Sequence, residues 1–480
     1  MTIDIDYYSI LPQIILVLAG MLILLLEPFT PAGRKMRQGQ IAVGAAFLAA
    51  YVLSFQHLGQ PRAIFHGMFL VDSFSWVFQW LFFVITGYCA LVALRFNERE
   101  SMNRGEYYAL LLFACSGMSL MAASGDLMLT FLGIEILSIA TYILAGFKRT
   151  DARANESSLK YFLLGSFATA FLLYGIALIY GSTGSTNYLA IRTAAELQRT
   201  PQLTMVLGLG LLLVGFGFKI ATVPFHAWAP DVYEGAPTAV TAFMIVGPKA
   251  AGFAALMRVL VQALPALQAD WSAILWVSSI LTMTVGNVVA VLQSNIKRML
   301  AYSAIAHAGY ILVGIVINSR DGLRAVVFYL IVYTAMNLGA LSIVLALSRK
   351  GDERVNIEDY AGLGKKQPLT AAMLALFLIS LAGIPLTGGF LGKFYLFSAA
   401  VQKGYLGLAI VGVLNSVLSV YYYFRLLVAM YMKEPQDQET ESIPLVTMAA
   451  IVIAAAGVLW AGLSPDWLLN LAGRSILPLQ

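Results

Sequence analysis

The sequence predicts an all-α, polytopic membrane protein of about fourteen transmembrane helices. Three observations carry this. Hydrophobic residues make up 60% of the 480 positions and charged residues only 11%, a balance that soluble globular chains do not reach. Apolar runs of about 20 residues, the length that crosses a hydrocarbon core, recur from end to end. Lys and Arg gather in alternate connections between the runs, the pattern that insertion with positive residues inside leaves behind. The net charge of +5 therefore reflects membrane topology and does not point to nucleic acid.

In order, the runs lie near 9–27, 40–58, 73–94, 107–123, 127–147, 159–181, 203–225, 237–260, 272–292, 299–317, 325–348, 370–396, 405–432 and 444–463. The first follows MTIDIDYY, which is acidic and lacks the basic start of a cleavable signal, so it reads as a span. Arg34, Lys35 and Arg37 follow the first span, Arg95, Arg99 and Arg104 the third, Lys148, Arg149 and Arg153 the fifth, and Arg349, Lys350, Arg354, Lys365 and Lys366 the eleventh. The alternate loops hold Arg62, Arg192, Arg199, Arg320, Arg324 and Lys403. The tally of about 17 against about 7 assigns the first set to the cytoplasm and both termini to the outer side. An even span count also puts the termini on one side. The longest connections, near 182–202 and 349–369, are too short for a soluble domain. The stretch 433–441 (KEPQDQETE) reads as a solvated loop. Cys89 and Cys115 sit in apolar runs, as small buried hydrophobes do, and form no metal pattern or disulfide framework.

A weak internal repeat is visible. KYFLLGSFATAFLLYGIALIY (160–180) resembles FYLIVYTAMNLGALSIVLAL (328–347), and TVPFHAW (222–228) finds a counterpart in GIPLTGG (383–389). The partners lie five spans apart. An odd offset reverses helix direction, so the repeats are expected to be inverted, with a broken helix in each.

The charges inside the apolar runs carry the chemistry. Lys219 lies deep in one, at a cost of roughly 2.5–3.5 kcal/mol at a bilayer centre. Pro224 cannot donate to the carbonyl of Ile220, so the helix should break beside the charge, as helices do where they line a cavity. The competing reading is a lysine snorkelling from a helix end. Glu135 has no local partner and must pair with a cation, take a proton or touch water; a protonated carboxyl in a structural hydrogen bond is the alternative. Lys249 follows Pro248, and Lys393 lies eight residues after Pro385. His226 and His307 suit a proton relay, or equally a helix–helix hydrogen bond. Lys160 and Lys297 sit at cytoplasmic helix ends, and Glu156 four residues before Lys160 makes a helical pair. Arg425 cannot release a proton usefully and reads as an anchor to lipid, partner or carboxylate. Glu27-Pro28 ends the first span without an evident role. Gathered around one central pocket these groups would serve a substrate transporter; strung along mid-depth and joined by water they fit a proton path. A carboxylate swinging toward Lys219 would hold its proton there, and swinging away would release it toward Lys249 and Lys393.

FLGIEILSIATYIL, LKYFLLGSFATAFLLYGIALIYG, GFGFKIATVPFHAWAPDVYEGAPT and NVVAVLQSNIKRMLAYSAIAHAGY resemble the antiporter-like subunits of respiratory complex I over nearly the whole chain. Among the sister subunits of bacterial NADH:quinone oxidoreductase the chain is most similar to the N type. It lacks the long C-terminal extension of the largest sister. It carries Lys393 where the middle sister has a glutamate, and GIPLTGGFLGKFYLF fits the N type. The resemblance implies three N-terminal helices (1–106), a first inverted five-helix repeat (107–260), a second within 261–432 whose helices span 272–432, and a C-terminal loop and helix (433–480). It implies that Glu135 and Lys219 form the charge pair of the first half-channel, that Lys249 is the central lysine, and that Lys393 is the exit residue. It casts His226, His307, Lys160 and Lys297 as supports of the hydrated path. The implied assembly contains neighbouring antiporter-like and small membrane subunits, and a hydrophilic arm holding FMN and iron–sulfur clusters. Quinone too belongs to other subunits. No cofactor or metal is expected here, since the chain has neither a Gly-rich dinucleotide fingerprint nor a cysteine cluster. The expected role is proton translocation within a translocase, with no redox chemistry in this chain, in the bacterial inner membrane. The rivals are a subunit of a multi-subunit sodium/proton antiporter, a non-pumping scaffold, and a quinone-binding subunit.

Overall fold

A computed structural model describes residues 6–56, 60–197, 202–435 and 443–477. Arg199 and positions 436–441 of the polar loop lie outside them. Nineteen helices follow in order: α1 Leu11–Leu26, α2 Met36–Phe55, α3 Ser73–Arg99, α4 Gly105–Ala123, α5 Leu127–Ala145, α6 Ala152–Thr183, α7 Tyr188–Glu196, α8 Gln202–Ile220, α9 Trp228–Gly235, α10 Thr238–Arg258, α11 Gln268–Val291, α12 Ile296–Ile317, α13 Arg320–Leu347, α14 Leu363–Lys366, α15 Pro368–Ala382, α16 Gly388–Gln402, α17 Leu406–Met432, α18 Leu445–Leu463 and α19 Asp466–Arg474. Among the described residues, thirteen segments are long and apolar enough to cross a membrane. α15 and α16 together make one more crossing, the twelfth in order: each half has 15 residues, too short to span alone.

Contacts between loops bear out this parity. The 62–71 hairpin (β1 Arg62–Ile64, β2 Phe69–Val71) meets Ser124, and Asp126 meets Asn187; these are loops after even crossings. On the other face Lys148 reaches Glu100 at 2.8 Å and Asn295 bridges Asn356, all from loops after odd crossings. Both long connections contain helix, α7 within 182–202 and the single turn α14 within 349–369, and α19 follows the last span. α7 and α19 are short and amphipathic, with one buried edge each (Tyr188 and Ile191; Leu468 and Ala472), a design for lying along an interface rather than crossing it.

The most enclosed helices are α10, α12 and α13, whose apolar windows are 100%, 94% and 89% buried, against 33% for α6 and 39% for α17. Charged groups placed on the first three are thus shielded from lipid. Close helix approach depends on small residues. A Cβ at Gly286 would lie 2.6 Å from Ala306 N, and one at Gly309 2.6 Å from Met283 N, so α11 and α12 touch backbone to backbone. Ser279 donates to the Gly309 carbonyl at 2.8 Å across that contact. Gly286→Ala is expected to force the pair apart, at about 1–3 kcal/mol, read as a lower unfolding temperature of the purified assembly.

Both predicted breaks are present, but the prolines do not make them. The span read as 203–225 stops at Ile220. Ala221 takes φ +58°, Ala221 N–H donates to Phe218 and Thr222 N–H to Gly217, which is a Schellman C-cap. The twelfth crossing ends the same way: Gly383 has φ +85°, its N–H donates to Ser380, and Ile384 N–H donates to Ile379. Pro224 and Pro385 come after the helices have already ended.

Candidate functional site

The first Schellman cap places Lys219 in the last turn of α8, where the helix dipole favours a cation. Its side chain is buried, 6% exposed. The ammonium donates to Ser138 Oγ at 2.5 Å and lies 5.7 and 6.0 Å from the ring centres of Tyr142 and Tyr161. Trp228, opening α9, stacks on Tyr161 at 4.5 Å and on Phe218 at 5.0 Å. Its indole N–H takes the Phe218 carbonyl at 3.0 Å. The break is therefore packed shut against α6, and α11 holds its other side: Val223 N–H donates to Thr282 Oγ1 at 2.9 Å, and Ser278 Oγ donates to the Val223 carbonyl at 3.1 Å.

Glu135 stands one turn before Ser138 on α5. Its carboxylate accepts from Thr169 Oγ1 of α6 at 2.9 Å. The expected charge pair is thus not in direct contact: Ser138 occupies the ammonium and Thr169 the carboxylate. Sequence reading missed both hydroxyls, because serine and threonine in apolar helices ordinarily bond back to their own backbone. Ser138 does so as well, to the Ile134 carbonyl.

Lys249 is 1% exposed at the centre of α10 and donates to the Ala304 carbonyl of α12 at 2.5 Å. Pro248 leaves the Met244 carbonyl without its helical donor, and Tyr233 O–H supplies one at 3.3 Å. Gly252, three residues on, lets α8 close in: a Cβ there would lie 2.8 Å from Ile220 Cγ2 and 3.6 Å from Lys219 Cβ. The helices bearing Lys219 and Lys249 are in contact at that point.

His307, 1% exposed, sits one turn beyond Ala304. Its Nδ1 is 2.6 Å from Tyr329 O–H and its Nε2 is 3.2 Å from Tyr423 O–H, which is 2.5 Å from Ser303 Oγ. Lys249 and Lys393 both lie within electrostatic reach of the ring. Tyr310, which stacks edge-on with His307, also faces the Lys393 ammonium at 4.9 Å. Lys393 donates to the carbonyls of Leu381 (2.9 Å) and Ala382 (3.0 Å) and to Ser416 Oγ (3.0 Å). Those two carbonyls are the free C-terminal acceptors of α15. At the first break the lysine rides on the helix that ends; at the second it comes from the helix that follows.

The other expected supports lie elsewhere. His226 is half-buried in the first break and its Nδ1 has no partner. Lys160 is at the rim, paired with Glu156 at 2.7 Å and Asp231 at 2.9 Å. Lys297 is 2% exposed and bonds the Ala236 carbonyl and Glu353, both at 2.7 Å. Burial by itself would push the Glu353 carboxyl up, but the Lys297 ammonium and the Thr238 donors outweigh it and hold it below its ordinary value. Arg425 donates to the Val291 carbonyl at 3.0 Å. Glu27 pairs with Lys35 and accepts the Gly105 N–H at 3.0 Å, capping α4 from another helix.

A buried bidentate pair escaped the sequence altogether. Arg258, fully buried at the end of α10, holds Asp72 through two bonds of 2.7 and 2.9 Å, and the Ala122 carbonyl at 2.6 Å. The signal that could have located Asp72 is the capping pattern Asp72-x-x-Ser75 before an apolar run, which the structure realises in full.

Residues 124–419 match the family described as NADH:quinone oxidoreductase/Mrp antiporter, transmembrane. The chain is 48% identical over 474 residues to NADH-quinone oxidoreductase subunit N of Trichlorobacter lovleyi, covering 97% of this chain and 96% of that one. It is 44% identical to NADH-quinone oxidoreductase subunit N 1 of Solibacter usitatus, covering 99% and 98%. Among solved structures, respiratory complex I from Thermus thermophilus matches with TM-score 0.82 and 35% identity over 96% of this chain and 99% of that one. The Mrp complex from Dietzia sp. DQ12-45-1b, at 23% identity, TM-score 0.83, and 98% and 97% coverage, shares the fold.

Proposed function

Because this chain belongs to the NADH:quinone oxidoreductase/Mrp antiporter transmembrane family, we propose that it is the N-type membrane-arm subunit of an NADH:quinone oxidoreductase and translocates protons within that complex. The observation that carries the reading is the line of buried cations. Lys219 ends α8, Lys249 sits at the proline-relieved centre of α10, and Lys393 reaches from α16 to the open end of α15, with His307 between the last two. A scaffold would have no use for three ammonium groups in a bilayer core.

In this reading Glu135 controls Lys219. A carboxylate brought to about 4 Å changes an ion's energy by about 4 kcal/mol at an effective dielectric of about 20. Moving one proton against a membrane potential takes about 2.3 kcal/mol per 100 mV. One swing of one carboxylate is therefore large enough to drive the step. With Glu135 on Thr169, Lys219 gives its proton up; Lys249, His307 with its two tyrosines, and Lys393 carry it on. Electrons from NADH, with FMN, iron–sulfur clusters and quinone, belong to partner subunits, and coupling reaches this chain through the assembly. Residues 107–260 and 261–432 are the two inverted repeats, each contributing one broken helix. The membrane is the bacterial inner membrane, with both termini on its outer side.

The test uses membrane vesicles carrying Glu135→Ala. NADH oxidation, the resulting pH gradient and growth in sodium are followed together with the amount of assembled complex. Loss of both NADH-linked activities in the assembled complex supports the reading. Intact NADH activities with lost sodium tolerance would establish the sodium/proton antiporter instead.

A further inference from the structure

The strap from Ser348 to Tyr360 packs over the start of α12, the helix whose Ala304 carbonyl holds Lys249. It pairs with the start of α12, Ile296 N–H donating to the Val355 carbonyl at 2.7 Å and Ile357 N–H to Ser294 at 2.9 Å. Gly351 N–H donates to Glu100 at 3.1 Å. From this strap Glu353 reaches inward. It accepts from Thr238 Oγ1 at 2.6 Å, from Thr238 N–H at 3.4 Å and from the Lys297 ammonium at 2.7 Å. Lys297 in turn donates to the Ala236 carbonyl at 2.7 Å. Ala236 and Thr238 flank Pro237 at the elbow between α9 and α10. One carboxylate thus ties together the strap, α12 and the elbow joining α9, the second half of the broken helix, to the helix of Lys249.

What lies beneath makes the position informative. Lys297 and Ala304 are seven residues apart on one face of α12, about 10 Å along the axis, and Ala304 supplies the carbonyl that holds Lys249. Thr238, Thr241, Ile245 and Lys249 follow one another on a face of α10. The line between rim and centre is polar: Thr241 Oγ1 donates to the Tyr233 carbonyl at 2.8 Å, and Tyr333 O–H to the Ile245 carbonyl at 3.3 Å. The Glu353 side chain is 21% exposed while Lys297 beneath it is 2% exposed. Besides Lys297, two charges face this junction: Lys148 from the α5–α6 connection, and Glu100, which pairs with Lys148 at 2.8 Å and accepts the Gly351 N–H.

We propose that Glu353 is the positioning residue of a gate at the aqueous mouth of the path to Lys249. This rests on the proton-translocation reading above. In the charged state Glu353 holds Lys297 on the Ala236 carbonyl and pins Thr238, and the mouth is closed. The gate opens when the Glu353 carboxylate parts from Lys297 and Thr238. Lys297 then loses its anion, the elbow is released, and α10 and α12 can separate above Lys249. Return of the carboxylate recloses it.

The test is made on the whole complex in sealed vesicles, comparing Glu353→Gln, Glu353→Asp and wild type at equal amounts of assembled complex. Glutamine keeps the shape but not the charge, so the gate stays released. Protons transported per NADH oxidised are expected to fall about two-fold, more than NADH oxidation itself, and aspartate should recover the ratio. An unchanged ratio in Glu353→Gln overturns the gate. So does a fall in NADH oxidation as large as the fall in transport, or a loss of assembled complex that accounts for the whole deficit, since a purely structural clasp would do either. Lys249→Ala, measured alongside, separates the two levels: if it pumps at the wild-type ratio, the proton path itself is wrong, whatever Glu353 does.

Discussion

Lys219→Ala is expected to lower NADH-linked proton translocation by about ten-fold or more, while the complex still assembles. The fold should survive for a specific reason. The ammonium has one hydrogen-bond acceptor, Ser138 Oγ, and that hydroxyl keeps its own bond to the Ile134 carbonyl when the lysine is removed. No buried polar atom is left unpaired. The Schellman cap that ends α8 is backbone only, and the Tyr161–Trp228–Phe218 stack does not need the ammonium. Lys219→Arg separates charge from proton exchange, because guanidinium holds its proton throughout. Arginine is expected to be as inactive as alanine. Proton uptake and NADH oxidation in vesicles decide the matter: intact pumping in Lys219→Ala removes Lys219 from the path, and recovery with arginine means that a fixed charge suffices.

Arg258→Ala should have the largest effect on stability, about 3–5 kcal/mol. It leaves Asp72 facing a buried site without its cation and strips the Ala122 carbonyl of its donor. Three elements lose their common tie: the end of α10, the start of α3 and the end of α4. The aromatic face of Phe74, 4.7 Å from the guanidinium, loses its cation too. The pair also sets a pH dependence. Burial raises the Asp72 carboxyl, but Arg258 and the Ser75 N–H outweigh it and hold it below its ordinary value of 3.8. A depressed carboxyl contributes fully above that ordinary value and loses its contribution as pH falls through the lower, folded one. Thermal unfolding of the purified assembly should therefore differ most between wild type and Arg258→Ala near neutrality and converge in strong acid. A constant difference across that range would mean that packing, not the ion pair, sets the cost.

Much of this architecture was legible in the chain. Crossing number followed from run length, and which loops share a face from the alternation of the spans, because both answer to the bilayer and not to any neighbour. The expensive residues Glu135, Lys219, Lys249 and Lys393 were visible for the same reason: a charge in an apolar run is costly wherever the helix packs. The helix breaks were found, but through the wrong agent. A Schellman cap needs a left-handed residue, and at Ala221 nothing in the sequence announces one, whereas the nearby proline is conspicuous.

The sequence by itself determined what must lie in the membrane and which groups are costly there. Only tertiary structure decided what those groups touch. Ser138 separates Lys219 from Glu135, the Ala304 carbonyl holds Lys249, the spent end of α15 receives Lys393, and Glu353 returns across the surface to Lys297. The physical reason is range. Hydropathy is summed along one segment, so a segment suffices to read it. A hydrogen bond falls away beyond about 3.5 Å, and its partner can come from any helix that packing brings there. The pair Arg258–Asp72, 186 positions apart in the chain, is the clearest case.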